Sequence, residues 1–161
     1  MFKNSNVLDG IEVLWARCPR IIRHAILRRI QTKFLIGTLG IISDEHGRVL
    51  LLEHRFRVIP PWGLPGGFLQ KHEDPSEGLA RELYEETGLR CEIDPEIYEM
   101  EFDKNVGHAT LFFCGKTRAA PLRLSAEIKN GGFFALKDLP KDIFEPHRLL
   151  LERRFASEAF E

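Results

Sequence analysis

Residues 67–89 read GFLQKHEDPSEGLARELYEETGL, and this stretch predicts the clearest helix of the chain. Asp74 can cap the helix, and Pro75 suits its first turn because that position needs no backbone N–H. Gly88 is the residue expected where a helix ends in the left-handed conformation. The sequence therefore predicts a helix from about Pro75 to Thr87.

Three carboxylates of this helix share one face. At ~100° per residue, spacings of three and four residues place Glu82, Glu85 and Glu86 in one sector. Like charges this close normally need a compensating cation, and oxygen donors without histidine or thiolate partners favour a hard ion such as Mg²⁺. On the helix alone, a solvated acidic face paired with Arg81 and Arg90 is favoured, because most charge runs on helices are of this kind.

The surroundings of the helix reverse that interpretation. Reading from Gly67, the chain has a glycine, five residues, Glu73, seven residues and then RELYEETGL at 81–89. This pattern resembles the Nudix box at every defining position, and WGLPGG at 62–67 is arranged like the loop that precedes the box in that family. The resemblance extends more loosely from Phe34 to Pro140. It implies a fold of the α/β (α+β) class, a Nudix-like α/β/α sandwich with a mixed β-sheet between helices.

The resemblance also implies an activity. Nudix enzymes hydrolyse a nucleoside diphosphate linked to another moiety, using water and usually Mg²⁺, for which Mn²⁺ can substitute. By that similarity Arg81 would hold a glutamate in place, and Gly67 would let the backbone bend toward the metal. Glu73 would orient the loop or touch a metal-bound water, or would only brace the helix entry. The metal ligands, direct or through water, would be Glu82, Glu85 and Glu86.

The resemblance leaves open which residue takes the proton from the attacking water. The family takes this base either from the box helix or from a later loop. Glu127 is the candidate in the loop, because it precedes Ile128 in a stretch that ends at Leu139-Pro140 and resembles the family's later loop. Glu101 and Asp103 are weaker candidates, and an ordinary surface charge is favoured for both.

Substrate recognition is predicted less sharply. Phe133 stands where many relatives carry tryptophan and can stack on a base, although core packing is favoured for it. Arg55 and Arg57 precede the glycine-rich loop and can donate bidentate hydrogen bonds to phosphates, or can have no role as exposed arginines. A nucleotide sugar such as ADP-ribose is the preferred substrate. Four histidines show no metal-ligand spacing and are assigned no role: His46, His54, His72 and His108.

The whole chain is expected to form one domain with an addition at its start. Its 161 residues suit a single core. Residues 1–30 are predicted to be an N-terminal helical extension packed on the domain, and residues 31–161 the Nudix hydrolase domain. The basic amphipathic part of the extension can alternatively form a dimer interface or dock on a membrane surface. Strands are predicted at 32–43, 49–52, 91–102, 108–116 and 132–136, with a closing helix at 143–156.

Composition limits the partners. With 23 basic and 24 acidic side chains, the net charge of −1 provides no long-range attraction for bulk nucleic acid or an anionic bilayer. The expected partner is a small-molecule nucleotide, without a nucleic-acid duplex or a membrane, and a homodimer is possible. Three cysteines without CxxC spacing fit a reducing compartment, and neither a ~20-residue apolar span nor a signal peptide is found, so the predicted location is cytoplasmic.

Two other functions compete with this prediction. One is a hydrolase of oxidised nucleoside triphosphates, of dinucleoside polyphosphates or of RNA 5′ ends, which the products from a substrate panel would separate. The other is a Nudix module that senses a nucleotide without cutting it. Such regulators often lose glutamates of the box, whereas here all of them are present.

Overall fold

The computed structural model describes residues 15–30, 34–56 and 60–158. The chain divides into two compact units, residues 1–34 and residues 35–161. The described helices are α1 (Arg20–Ile30), α2 (Pro75–Thr87) and α3 (Glu145–Glu158), with a 3-10 turn at Leu136–Asp138. The described strands are β1 (Leu35–Ser43), β2 (Val49–His54), β3 (Trp62–Gly63), β4 (Gly66–Phe68), β5 (Glu92–Asp103), β6 (His108–Lys116) and β7 (Ile128–Phe134). None of these helices is long and apolar enough to cross a membrane.

Helix α2 has the predicted bounds because both of its ends are fixed by local hydrogen bonds. Asp74 precedes the helix in an extended conformation, and its Oδ1 accepts the backbone N–H of Ser76 at 3.0 Å. At the other end Gly88 has a φ of 73°, and its N–H donates to the carbonyl of Tyr84 at 2.8 Å. The helix therefore begins and ends where the sequence predicts.

Replacing Asp74 with alanine is expected to lower the free energy of unfolding by about 1 kcal/mol, because the N–H of Ser76 loses its acceptor. Asp74→Asn is the matched control: it keeps an oxygen at the same position and should cost only a few tenths of a kcal/mol. Urea unfolding of both variants measures the difference. Equal losses in the two variants would contradict the capping role.

The strands of the second unit form one mixed sheet with the order β3-β2-β1-β6-β5, in which β4 lies beside β1 and β7 beside β2. β1 and β6 run parallel, with Leu35 opposite His108, and the other named pairings are antiparallel. β1 pairs with β2 at Ser43 and Val49, on either side of the turn that joins the two strands. Farther from that turn, Gly37–Leu39 of β1 pair with β4 instead.

Helices cover both faces of this sheet, because successive side chains of β1, β2 and β6 alternate between two buried clusters. The cluster on the α3 side includes Ile41, Val49, Leu51, Phe112, Leu150 and Leu151. The cluster on the α2 side includes Ile42, Leu50, Leu52, Phe113, Leu79 and Leu83. The predicted α/β/α sandwich of the α+β class is confirmed.

Candidate functional site

The loop between β3 and β4 meets the acidic face of α2. The N–H of Gly66 donates to Oε2 of Glu86 at 3.1 Å. A Cβ on Gly67 would lie 2.5 Å from the carboxyl carbon of Glu82, so a residue with a side chain would displace that carboxylate. The structure thus brings Gly67, Glu82 and Glu86 together from two consecutive elements, β4 and α2.

Glu86 is the most enclosed glutamate of the helix, with 9% of its surface exposed. Its Oε1 lies 3.9 Å from Nδ1 of His54, the last residue of β2. Its main-chain carbonyl accepts the N–H of Ser125 at 3.0 Å, which attaches the loop before β7 to the end of α2. Three separate segments therefore converge on Glu86.

Arg81 connects the glutamates of the site. Its guanidinium forms two hydrogen bonds with Glu73, from Nε at 2.7 Å and from Nη2 at 3.1 Å. Its Nη1 donates to Glu82 at 2.9 Å and to Glu85 at 3.4 Å. The hydrogen bonds with Glu73, and then the hydrogen bond with Glu82 and the charges of both glutamates, raise the pKa of Arg81 above its already high ordinary value. Arg81 therefore supplies positive charge to three carboxylates. Arg90, by contrast, lies over the ring of Tyr84, 5.3 Å from its centroid.

The hydrogen bond with Arg81, followed by the one from the N–H of Gln70, lowers the pKa of Glu73 from 4.5 to about 2. A depressed pKa means that the stabilisation is fully present above pH 4.5 and is lost as the pH falls through about 2. Carboxyl ¹³C titration by NMR should show this value, and Arg81→Gln should return the pKa of Glu73 toward 4.5. A pKa for Glu73 near 4.5 in the unaltered protein would contradict the pairing.

The donor atoms of this cluster are all oxygens, which suits a hard divalent ion. The carboxylates belong to Glu82, Glu85 and Glu86, and the space that a Cβ on Gly67 would fill is bordered by the carboxylate of Glu82. In the described part of the chain, no group of three or more His, Cys, Asp or Glu side chains is arranged to hold a metal ion. Instead, the guanidinium of Arg81 bridges Glu82 and Glu85. Because Arg81 donates to Oε1 of each glutamate, a cation at this place would take their other carboxylate oxygens or displace the guanidinium.

The residues predicted to bind substrate do not belong to the acidic helix α2. Arg55 donates from Nε to the carbonyl of Ala126 at 3.0 Å, and its N–H donates to the carbonyl of Glu127 at 2.8 Å. Arg55 thus holds the turn that carries Glu127, whose side chain is exposed. Phe133 is half-buried and packs on the α2-side cluster. Arg57 lies outside the described residues.

Glu101 and Asp103, the weaker candidates for the base, are not part of this cluster. Both lie on β5, the strand at the end of the sheet order that is separated from β2 by β1 and β6. Glu101 is paired in register with Thr110, and Asp103 with His108. Their position agrees with the surface-charge interpretation that the sequence favoured.

Two histidines near the site were missed by the sequence analysis. The sequence predicts no role for His54. Its position near the end of the strand that precedes the glycine-rich loop could have indicated that it lies near the site. His147 lies in the first turn of α3 with 4% of its surface exposed, and its Nδ1 accepts the N–H of Leu64 at 3.1 Å. These partners are 83 positions apart, so no local pattern could indicate the contact.

Comparisons with known proteins find relatives and similar structures. The chain is 35% identical over 92 residues to a "MutT-like protein" of Streptomyces ambofaciens, covering 57% of this chain and 58% of the relative. It is 28% identical over 115 residues to an ADP-ribose pyrophosphatase of Methanocaldococcus jannaschii, covering 69% and 68%. The crystal structure of a NUDIX hydrolase from Nitrosomonas europaea matches with a TM-score of 0.69 at 25% identity, covering 76% of this chain and 70% of that one.

The extent of these matches differs between the relatives and the family model. The chain spans less than two thirds of the length of the MutT-like relative, at 58%. The model of the NUDIX domain, however, matches residues 33–154, which is most of this chain. The match includes the glycine-rich loop, the acidic helix and the first part of α3. The chain therefore belongs to the NUDIX domain family.

Proposed function

We propose that this protein is a metal-dependent pyrophosphohydrolase. It cleaves the diphosphate linkage of a nucleoside diphosphate joined to another moiety, with ADP-ribose or another nucleotide sugar as the substrate. One observation carries the proposal: the Gly66–Gly67 backbone meets the carboxylates of Glu82 and Glu86, which gathers oxygen donors from two elements at one place. The similarity to a relative named ADP-ribose pyrophosphatase supports the substrate class.

Nudix hydrolases generally need divalent metal ions. We propose Mg²⁺ for this chain, with Mn²⁺ as a substitute, held by the peptide oxygen of Gly67 and the carboxylates of Glu82, Glu85 and Glu86. When bound, a divalent ion neutralises phosphate oxygens and lowers the pKa of a coordinated water. The nearly buried position of Glu86 supports its place in this set, because charge stabilisation is stronger where water is excluded.

Arg81 and Glu73 position the other groups. Because Arg81 forms two hydrogen bonds with Glu73, it stays beside the loop when Glu82 and Glu85 bind a cation. The positive charge of Arg81 also limits repulsion among the carboxylates before a cation arrives. Arg81 is therefore a positioning residue in this proposal.

The proton of the attacking water goes to a carboxylate. Glu127 is the proposed base in the loop, and a glutamate of α2 is the alternative. The hydrogen bonds from Arg55 reach the carbonyls of the two peptides that flank the Cα of Glu127, so Arg55 supports the position of Glu127 independently of any contact with phosphate. The half-buried Phe133 and Arg57, which lies outside the described residues, are the other proposed substrate-binding residues.

A substrate panel with Mg²⁺ tests the proposal. It contains ADP-ribose, other nucleotide sugars, oxidised and ordinary nucleoside triphosphates, dinucleoside polyphosphates and 5′-triphosphorylated RNA. ADP-ribose and water should give AMP and ribose 5-phosphate, identified by chromatography, and a chelator should abolish the reaction until Mg²⁺ or Mn²⁺ is added. If the protein cleaves only nucleoside triphosphates, these replace nucleotide sugars as the proposed substrate. If it binds a nucleotide of the panel without cleaving any, a sensing module is favoured.

The organisation of the whole chain stays a prediction. It comprises a helical extension at residues 1–30 that packs on the hydrolase domain at residues 31–161, a homodimer and a cytoplasmic location. Light scattering of the full chain tests the dimer. Liposome sedimentation tests the alternative that the basic segment docks on a membrane.

A further inference from the structure

We propose that His147 is a positioning residue for the candidate site: by accepting the N–H of Leu64 it fixes the backbone of residues 64–67 against the carboxylates of α2. This inference rests on the proposed function and deepens it. His147 lies on α3, on the face of the sheet opposite to α2. It therefore acts on the site only through the loop.

The acceptor is a specific atom in a buried place. Nδ1 of His147 lies 3.1 Å from the nitrogen of Leu64, and both residues are buried, with exposures of 4% and 0%. A ring nitrogen that accepts a hydrogen bond carries no proton, so the imidazole holds its proton on Nε2. A buried backbone N–H that loses its acceptor is unfavourable, and the loop would have to move to satisfy it.

Neighbouring aromatic rings fix the orientation of the imidazole. The ring of Phe144 lies 5.0 Å from that of His147 and the ring of Phe112 lies 6.3 Å away, both nearly perpendicular to it. The backbone beside His147 is also tied to the loop: the N–H of Phe144 donates to the carbonyl of Trp62 at 2.9 Å, and Ile143 bridges to Trp62. The start of α3 and the two residues before it therefore bind this part of the chain at Trp62 in β3 and again at Leu64.

The pairing of the strands leaves a gap at the place where His147 acts. β3 pairs with β2 through Trp62 and Gly63, and β4 pairs with β1 from Gly66 onward. Leu64 and Pro65 lie between these pairings. Proline has no N–H, so Leu64 supplies the single backbone donor of the gap, and His147 is its acceptor.

Leu64 and Pro65, which form this gap, directly precede Gly66 and Gly67 of the site. The carbonyl of Pro65 accepts the N–H of Gly40 at 3.0 Å, and the next N–H, that of Gly66, donates to Glu86. Because the ring of Pro65 fixes its φ, fewer backbone torsions between Leu64 and Gly66 can absorb a shift at Leu64. His147 thus helps to determine where the N–H of Gly66 and the peptide of Gly67 stand.

Two variants of similar size separate this role from simple core packing. His147→Asn keeps an acceptor near the position of Nδ1, whereas His147→Leu fills the space without one. In the leucine variant, the affinity for Mn²⁺ and the kcat for the nucleotide substrate should each fall about 10-fold, which is the size of effect seen when residues behind metal ligands are replaced. The KM should change less than about 2-fold. The asparagine variant should recover to within about 3-fold of the unaltered protein. Amide exchange at Leu64 and Gly66 should be faster in the leucine variant.

The hydrogen bond itself can be measured in the unaltered protein, which keeps the test valid if a variant fails to fold. A ¹⁵N–¹⁵N coupling across the bond between Leu64 and His147 is expected at neutral pH, and its absence would overturn the inference. A leucine variant with a lower melting temperature but unchanged Mn²⁺ affinity and Gly66 protection would reduce His147 to a core residue. If the unaltered protein cleaves nothing in the panel, the proposed function fails, and Mn²⁺ affinity and amide exchange still decide the role of His147.

Discussion

Glu86→Gln is expected to reduce turnover with Mg²⁺ by at least about 10²-fold and to leave the fold intact. The change removes the negative charge that would hold the cation at the phosphoryl centre. It keeps an oxygen that can accept the N–H of Gly66, the bond that now measures 3.1 Å. Steady-state kinetics on the substrate identified by the panel, together with urea unfolding, measures both effects.

Glu99→Gln is the matched control for this prediction. Glu99 lies on β5 and receives two hydrogen bonds from Arg153, away from the glycine-rich loop. Glu99→Gln removes the same charge at a residue with no proposed role in catalysis. Substitutions away from a functional site have small effects, so its turnover should stay within about 2-fold of that of the unaltered protein. Equal activity of Glu86→Gln and the unaltered protein would remove Glu86 from the proposed metal ligands.

Gly66→Ala is expected to lower the free energy of unfolding by roughly 3–5 kcal/mol, the sum of backbone strain and overpacking. The φ of Gly66 is 136°, which side chains rarely adopt, and a Cβ there would lie 2.1 Å from the carbonyl oxygen of Thr38. That oxygen belongs to the main chain of β1 and cannot rotate away. The β4–β1 pairing would have to open, and the N–H that reaches Glu86 would move with it.

Gly47→Ala is the control for this prediction. Gly47 has a φ of 71° with nothing within 4 Å of an added Cβ, so it should show only the cost of the left-handed conformation, about 1–2 kcal/mol. Urea unfolding of the two variants measures how much more the substitution costs at Gly66, where φ is less accessible to side chains and the added Cβ meets β1. Similar losses at both positions would show that the loop relaxes at little cost, and activity per folded molecule would then be expected to survive in Gly66→Ala.

The parts of the molecule with local signals were predictable from the sequence. The bounds of α2 follow from Asp74, Pro75 and Gly88, each acting within one turn of the helix. The convergence of Gly67 and Glu82 followed from the resemblance alone. Their separation in the sequence does not require the loop to lie against the helix. Periodicity thus predicted the shared face of the three glutamates, and the family resemblance predicted that the loop lies beside it.

Features that depend on pairing between distant strands were not predictable. β7 begins at Ile128, four residues before the predicted start at Gly132. Lys129 and Asn130 are polar and Gly131 is a poor strand former, but Gly131 lies opposite Leu52, where a Cβ would be 2.7 Å from that side chain. The partner strand β2 therefore decides the start of β7. α3 likewise begins at Glu145, two residues after the predicted start at Ile143, which is engaged with Trp62.

The guanidinium of Arg81 means that the acidic face of α2 carries its own counterion. Many small metal-binding domains whose ligands lack such a partner fold only with their ion. If the proposed function holds, α2 would instead keep its structure without a cation, so a chelator should abolish activity and leave the protein folded.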